Sequence, residues 1–221
     1  MNILVTGHLG FIGSALFAHL KATTDHNNGH FAVEFANYAG DTGKVHAFEP
    51  QRIIFQQLCG NIFINGLNNV YCHNMAVGDT SGKVRIQCPD YFDKHDVNFG
   101  DVSITEDYYS SEEVQLVRLD DFKFDNVSII KIDVQGFEPK VITGAINTIN
   151  THRPFIFIEI ESPQLKKFNY TESELITQIE SLDYIVTQFQ IGIKYQTDTG
   201  NCLDYVCIPK EKYEIQNFII T

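Results

Sequence analysis

The sequence predicts an α/β fold, a mostly parallel sheet with an antiparallel closing strand and helices on both faces. Three observations lead there. Short apolar runs of strand length alternate with helix-patterned stretches along most of the chain. Two runs, 127–132 and 154–160, are apolar and rich in β-branched residues, as central strands are. The chain has 221 residues, 43% of them hydrophobic, enough for one sizeable core. One domain over 1–221 is therefore expected, with 1–24 as an atypical N-terminal segment.

The elements follow in order. Residues 2–6 read as a buried strand and 11–20 as a helix. A second helical stretch covers 30–38, through Phe31, Val33, Phe35 and Ala36. Residues 44–48 form a strand. The helix expected over 50–63 carries Ile54, Phe55 and Leu58 on one face. Strands are expected at 69–73, 83–87 and 114–119, with a loop-rich insert between the last two. The central strand 127–132 leads to a helix over 139–149 and then to the strand 154–160. Thr171, Glu172, Ser173 and Glu174 spell a capping box, which opens a helix running to about Leu182. Strands at 184–189 and 204–208 close the fold.

Composition narrows the function. The net charge is −12 and the isoelectric point about 5.0. Such a surface repels phosphate backbones and anionic lipid headgroups, which argues against nucleic acid or membrane as partner. Cys59, Cys72, Cys88, Cys202 and Cys207 form no C-x-x-C pair and no zinc-finger spacing. They read as buried thiols in a reducing compartment. No apolar run reaches bilayer-spanning length, and no signal-peptide pattern opens the chain. A cytoplasmic protein is expected.

Ligands of parallel sheets sit beyond the carboxyl ends of the strands. Two fingerprints fall at such ends. The first is Thr6-Gly7-His8-Leu9-Gly10-Phe11-Ile12-Gly13, between a strand and a helix. Glycines there let backbone approach a pyrophosphate at a helix N-terminus. Residues 1–20 resemble the opening of the extended short-chain dehydrogenase and epimerase family. The likeness stops there: no acidic residue ends a second strand about 20 positions on, and no Tyr is followed four residues later by Lys. Hydride transfer loses its proton-transfer pair.

The second fingerprint pairs Gly29 with Glu49, 20 residues apart. That is about the interval between a nucleotide-binding turn and the acid that ends the next strand. An ionised carboxylate there makes charge-assisted hydrogen bonds to a ribose diol. Further blocks follow: Phe48-Glu49-Pro50; Leu58, Asn61 and Asn65; Ala76-Val77-Gly78-Asp79; Leu119-Asp120-Asp121; Ile130-Lys131-Ile132-Asp133-Val134-Gln135-Gly136-Phe137-Glu138; Gly144-Ala145; Arg153-Pro154; and Ile158-Glu159. In that order and spacing they resemble the FkbM family of S-adenosylmethionine-dependent methyltransferases, from about residue 27 to 210.

The resemblance implies a class I, Rossmann-like sheet of seven strands whose last strand is antiparallel. It implies that Glu49 holds the ribose of S-adenosylmethionine, that Asn27 and Gly29 belong to the cofactor loop, and that the turn Asn74 to Ala76 lines the adenine pocket; Gly7 joins them as a cofactor-binding candidate from the first fingerprint. It also implies methylation of a hydroxyl on a sugar or other small molecule. Gln135 stands where the family more often has Glu. The loop departs further: Thr23 replaces the usual Asp, and Asp25-His26-Asn27 replaces Gly-Ala-Asn. Two accounts fit. Either Ile3–Thr6 supplies the first strand and Gly7–Gly13 the loop, or the loop has decayed and the domain is a catalytically inactive binding module. A nucleotide-sugar or NAD-binding protein using Gly7–Gly13 is a third reading.

The candidate acceptor residues are acids at strand ends. Asp133 ends the run 128–132 and is suited to act as base; the alternative is a cap for the next helix. Glu159 ends the following strand. With Glu138 the two form an oxygen-donor set of the kind a divalent metal takes, although no motif demands one. Lys131 reads as a partner for a nearby acid. His30, His46 and His73 read as scattered and non-catalytic. The aromatic insert 91–113 reads either as a sugar-stacking cover for the acceptor pocket or as a surface insert.

Overall fold

The structure is a computed structural model that describes residues 2–7, 30–88, 104–105, 111–188 and 202–213. Its strands are β1 (Asn2–Gly7), β2 (Lys44–Phe48), β3 (Val70–His73), β4 (Met75–Val77), β5 (Gly82–Gln87), β6 (Ser111–Val117), β7 (Val127–Asp133), β8 (Phe155–Glu161), β9 (Tyr184–Gln188) and β10 (Cys202–Pro209). The helices are α1 (His30–Ala39), α2 (Arg52–Ile64), α3 (Glu138–Thr143), α4 (Ile146–His152), α5 (Ser162–Lys167) and α6 (Glu172–Glu180), with a 3₁₀ turn at Leu119–Phe122.

Seven strands form the main sheet in the order β3-β2-β1-β7-β8-β10-β9. From β3 through β8 every pairing is parallel. The last strand, β10, inserts antiparallel between β8 and β9. The Asn2–Gly7 segment thus fills the centre of the sheet. Its apolar run Ile3-Leu4-Val5 suits a strand flanked on both sides, and Gly7 comes into register with Asp133. This is the strand expected of the first account of the N-terminus. The helix expected over 11–20 lies outside the described residues.

Strand alternation sends the two faces of the sheet into separate cores. On one face Ala47 of β2 packs with Ala32 of α1 and with Leu58 and Ile62 of α2. On the other, Phe48, Ile130, Ile132, Ile156, Ile158 and Ile160 pack with Val141, Ile149, Leu165, Leu175 and Ile179 of four helices. Helices therefore cover both faces. α6 opens with the expected capping box: Thr171 accepts from the Glu174 amide, and the Glu174 carboxylate accepts from the Thr171 amide.

The structure corrects three expectations. The helix expected over 139–149 breaks in two at Gly144, because a turn there brings backbone against backbone; a Cβ on Gly144 would run into the carbonyl of Gly78. The short helix α5 was not expected, since 162–167 is too brief to show a period. A second, three-stranded sheet, β4-β6-β5, stands apart with its own core of Ala76, Ile86, Val114 and Leu116. It takes up Met75–Val77, so the expected turn from Asn74 to Ala76 is one turn residue followed by strand.

Candidate active site

The site grows from the carboxyl ends of β2, β1 and β7, which lie side by side. β7 alternates strictly near its end: Ile130 and Ile132 point into the larger core, which leaves Lys131 and Asp133 on the opposite face. Lys131 is 1% exposed and Asp133 2%. The Lys131 Nζ donates to Asp133 Oδ2 at 3.0 Å, and Gln135 Nε2 reaches Asp133 Oδ1 at 3.4 Å. Lys131 is thus the acid partner its position suggested, and Asp133 is not a helix cap: α3 begins after Phe137 without a side-chain cap.

The Lys131 ammonium has more than one acid around it. Burial works against its charge, but Asp133, Glu159 and Asp204 outweigh burial and hold it above its ordinary value. Glu159 of β8 and Asp204 of β10 face each other in antiparallel register. Asp204 was not legible as a site residue. Its one signal is an acid in an otherwise apolar strand. Burial, and more weakly Asp133, push the Asp204 carboxyl up to about 6 against the pull of Lys131.

Glu49 follows β2 on the other side of β1. It is 5% exposed, and its Oε1 accepts from the Gln51 amide at 2.7 Å. Burial raises its carboxyl to about 8; the Gln51 amide opposes the shift and Asp133 adds to it. The turn that presents Glu49 is pinned by Asn74, whose Nδ2 donates to the carbonyls of Glu49 (2.9 Å) and Pro50 (3.0 Å). The Asn74 amide is therefore spent on holding the turn. Ala76 is buried in the small sheet, its side chain in that core.

Glu138 sits behind Asp133, 2% exposed. Its Oε1 accepts from the amides of Val134 (3.2 Å) and Gly136 (3.0 Å), tying down the loop after β7. Its Oε2 is buried with no hydrogen-bond partner among the described residues. Burial raises this carboxyl to about 7, against three backbone amides.

The structure thus brings Gly7, Glu49 and Asp133 to one edge of the sheet and sets Glu159 beside them. Asn27, Gly29 and the loop 8–13 lie outside the described residues, as does all of the aromatic insert except 104–105 and 111–113. Among the described residues no three His, Cys, Asp or Glu side chains are arranged to hold a metal ion. The Lys131 ammonium takes one Asp133 oxygen, and backbone amides take one oxygen of Glu138. No described helix is long and apolar enough to cross a membrane. Cys59, Cys72, Cys88 and Cys207 are free thiols.

Two residues read as scattered are in fact neighbours. His46 and His73, on adjacent strands, place ring nitrogens 3.2 Å apart within a stack that includes Tyr71, Phe48, Phe122 and Phe124. Burial, then His73 and Lys44, lower His46 to about 4, and burial lowers His73. Below about pH 6.5 the unfolded chain binds these protons while the folded chain resists them. Their contribution is present above 6.5 and is lost as pH falls toward 4. Both rings are half-buried, so screening trims the loss to about 1–2 kcal/mol. Glu49 and Glu138 act in the opposite sense, losing stability as pH rises through 7 and 8. Comparing His46→Phe with the parent by urea unfolding at pH 7 and pH 4.5 isolates the histidine contribution. A variant whose stability falls as steeply as the parent's would rule it out.

Residues 24–186 match the family described as the methyltransferase FkbM domain. The chain belongs to the FkbM methyltransferase family. The match begins after β1, so this central strand of the sheet and the segment Gly7–Gly13 both lie outside the matched stretch. Among solved structures, a methyltransferase FkbM from Methylobacillus flagellatus KT superposes with a TM-score of 0.55 at 16% identity, over 93% of this chain and 44% of that one. The chain thus spans less than half the length of that relative. A rRNA methylase from Streptococcus thermophilus gives 0.50 at 11% identity (94% and 86% covered), and the fibrillarin pre-rRNA processing protein of Methanococcus jannaschii gives 0.50 at 13% (95% and 66%). These likenesses place the FkbM domain in the class I, Rossmann-like methyltransferase fold. No curated protein matches the chain.

Proposed function

We propose that the domain is an S-adenosylmethionine-dependent O-methyltransferase acting on a hydroxyl of a sugar or other small molecule. The observation that carries this reading is the placement of Glu49 and Asp133 on the strands either side of β1, with Asp133 in register with Gly7. A ligand laid across the end of β1 meets both acids. The residue chemistry fits the cofactor: Glu49 suits a ribose diol, and the acid-rich end of β7 suits a cation.

In this reading Gly7, Asn27 and Gly29 give the backbone approach to the cofactor, while Asn74 and Ala76 border the adenine side, Asn74 by fixing the Glu49 turn. When bound, S-adenosylmethionine supplies an electrophilic methyl carbon on a sulfonium. The protein aligns the acceptor oxygen with that carbon, which is worth several kcal/mol. The Asp133 carboxylate would take the proton of the acceptor O–H, a role that adds about 10²–10⁴-fold. Lys131 and Gln135 fix the two Asp133 oxygens, and Glu159 orients the acceptor. A net charge of −12 favours a small or glycan acceptor over a phosphate polymer, and nothing in the assignment requires a metal.

Calorimetric titration with S-adenosylmethionine tests the reading. Binding is expected, with Glu49→Ala weakening it about 5- to 150-fold through loss of a hydrogen bond to a charged or polar group, on the order of 1–3 kcal/mol. Silence with both S-adenosylmethionine and S-adenosylhomocysteine would overturn the assignment. Heat with NAD alone would favour the Gly7–Gly13 reading instead.

A further inference from the structure

The outer face of α2 carries three features that the fold of a single chain does not use. Leu58 and Ile62 turn inward, onto Ala47 of β2 and Val70 and Cys72 of β3. The helical repeat therefore puts Gln56 and Gly60 on the opposite side, with Phe63 and Ile64 flanking Gly60. Phe63 is 86% exposed and Ile64 81%. Two large apolar side chains side by side in water are the first feature. The second is charge. Residues 53–78 include no Asp, Glu, Lys or Arg, in a chain with 16 basic and 28 acidic residues. The one charged residue of α2 is Arg52 at its first position, and it pairs with Glu112 at 3.1 Å. The third is Gly60 itself. Glycine is among the worst residues for a helix interior. Yet a Cβ on Gly60 would meet nothing within 4 Å, so no contact inside the chain calls for it.

We infer that the outer face of α2 is a self-association surface, on which a second copy of this chain docks its own α2 about a two-fold axis near Gly60. Charge selects the occupant. Each copy carries a net charge of −12, so two copies repel over most of their surfaces. They can bury a contact without stranding like charges only where neither copy has any, and this face meets that condition. A basic partner would be drawn instead to the acidic surfaces. A two-fold contact brings the same patch from both copies together, so a charge-free patch faces a charge-free patch. It also sets Gly60 against Gly60 of the second copy. A missing side chain at that crossing lets the two helix backbones approach closely, and Phe63 and Ile64 of each copy then pack across the axis. Depletion of charge at the centre of the patch is the pattern of protein interfaces.

The test is sedimentation equilibrium of the whole chain over a dilution series, with urea unfolding of the same samples. The parent's mass is expected to rise from 25.1 kDa toward twice that value as concentration increases. Phe63→Glu places two carboxylates against each other at the axis and should weaken association about tenfold or more. Its urea midpoint in dilute solution should stay at the parent's, because the side chain is exposed in the single chain. Gly60→Ala is the second variant. It should raise the urea midpoint of the dilute chain, since alanine is the better helix former, and yet weaken association about threefold or more by holding the helices apart. A glycine that mattered only to its own helix would not give these opposite signs. A parent that stays at 25.1 kDa at every concentration would overturn the inference, leaving the face to some other partner. Association of both variants as tight as the parent's would also overturn it, by placing the contact elsewhere.

Discussion

Lys131→Met is expected to lower folding stability by about 3–5 kcal/mol, the cost of leaving a buried charge without its partner. The ammonium is 1% exposed and 3.0 Å from Asp133, itself 2% exposed. Methionine keeps most of the stem volume but none of the charge. Asp133 would then sit in the interior with Gln135 at 3.4 Å and with Glu49, Glu138 and Asp204 pressing negative charge on it. The double variant Lys131→Met/Asp133→Leu removes both charges and should recover most of the loss, since a buried pair is worth little against apolar residues of similar size. Urea unfolding of the parent, the single and the double variant measures all three. A single-variant loss below about 1 kcal/mol would mean water reaches Asp133 freely, and the buried character of the site would have to be given up.

Much of the fold was legible because burial writes itself into short runs. β2, β3 and β7–β10 each fall close to their expected spans, and the apolar alternation of Ile130, Ile132, Ile156, Ile158 and Ile160 is the main core itself. What escaped was structure decided by contacts rather than by local pattern. β4 is three residues long and exists because β6 pairs with it in parallel. The break at Gly144 exists because Gly78 lies against it.

The site was legible in part, and the motif residues divide by task. Glu49 and Asp133 reach the sheet edge as their strand-end positions implied. Other motif residues serve the scaffold. Asp120 accepts from the Thr148 and Asn147 amides at the start of α4, Asp79 pairs with Lys140 at 2.7 Å, and Asn65 caps α2 on the Asn61 carbonyl. Arg153 donates to the carbonyls of Leu182 and Asp183 and lies over the Tyr184 ring. A linear motif cannot separate these from ligand-facing residues, because both are fixed in place. Asp204 was missed for the converse reason: no motif contains it, and only strand pairing carries it to Lys131.

Gly136→Ala is expected to cost more than about 3 kcal/mol, with two separable causes. Gly136 has φ +97°, a conformation an L side chain enters at a cost of order 1–3 kcal/mol. A Cβ there would also run into the backbone carbonyl of Gln164 and crowd the Phe168 ring. A flexible side chain could swing away, but Gln164 belongs to α5, which follows β8 without a loop, so the helix itself must shift. Gly66→Ala supplies the control, since Gly66 has φ +65° and open space around its Cβ position. It should show the conformational cost alone, about 1 kcal/mol. The difference between the two variants in urea unfolding is then the steric part. Because the Gly136 amide donates to Glu138 at 3.0 Å, the same shift pulls the loop away from the carboxyl that anchors it. Any Gly136→Ala protein that does fold should therefore bind S-adenosylmethionine more weakly than the parent, whereas Gly66→Ala should bind it as the parent does. Equal stability of the two variants would show that α5 yields freely, and would remove the close packing of Gly136 as the reason this loop holds its shape.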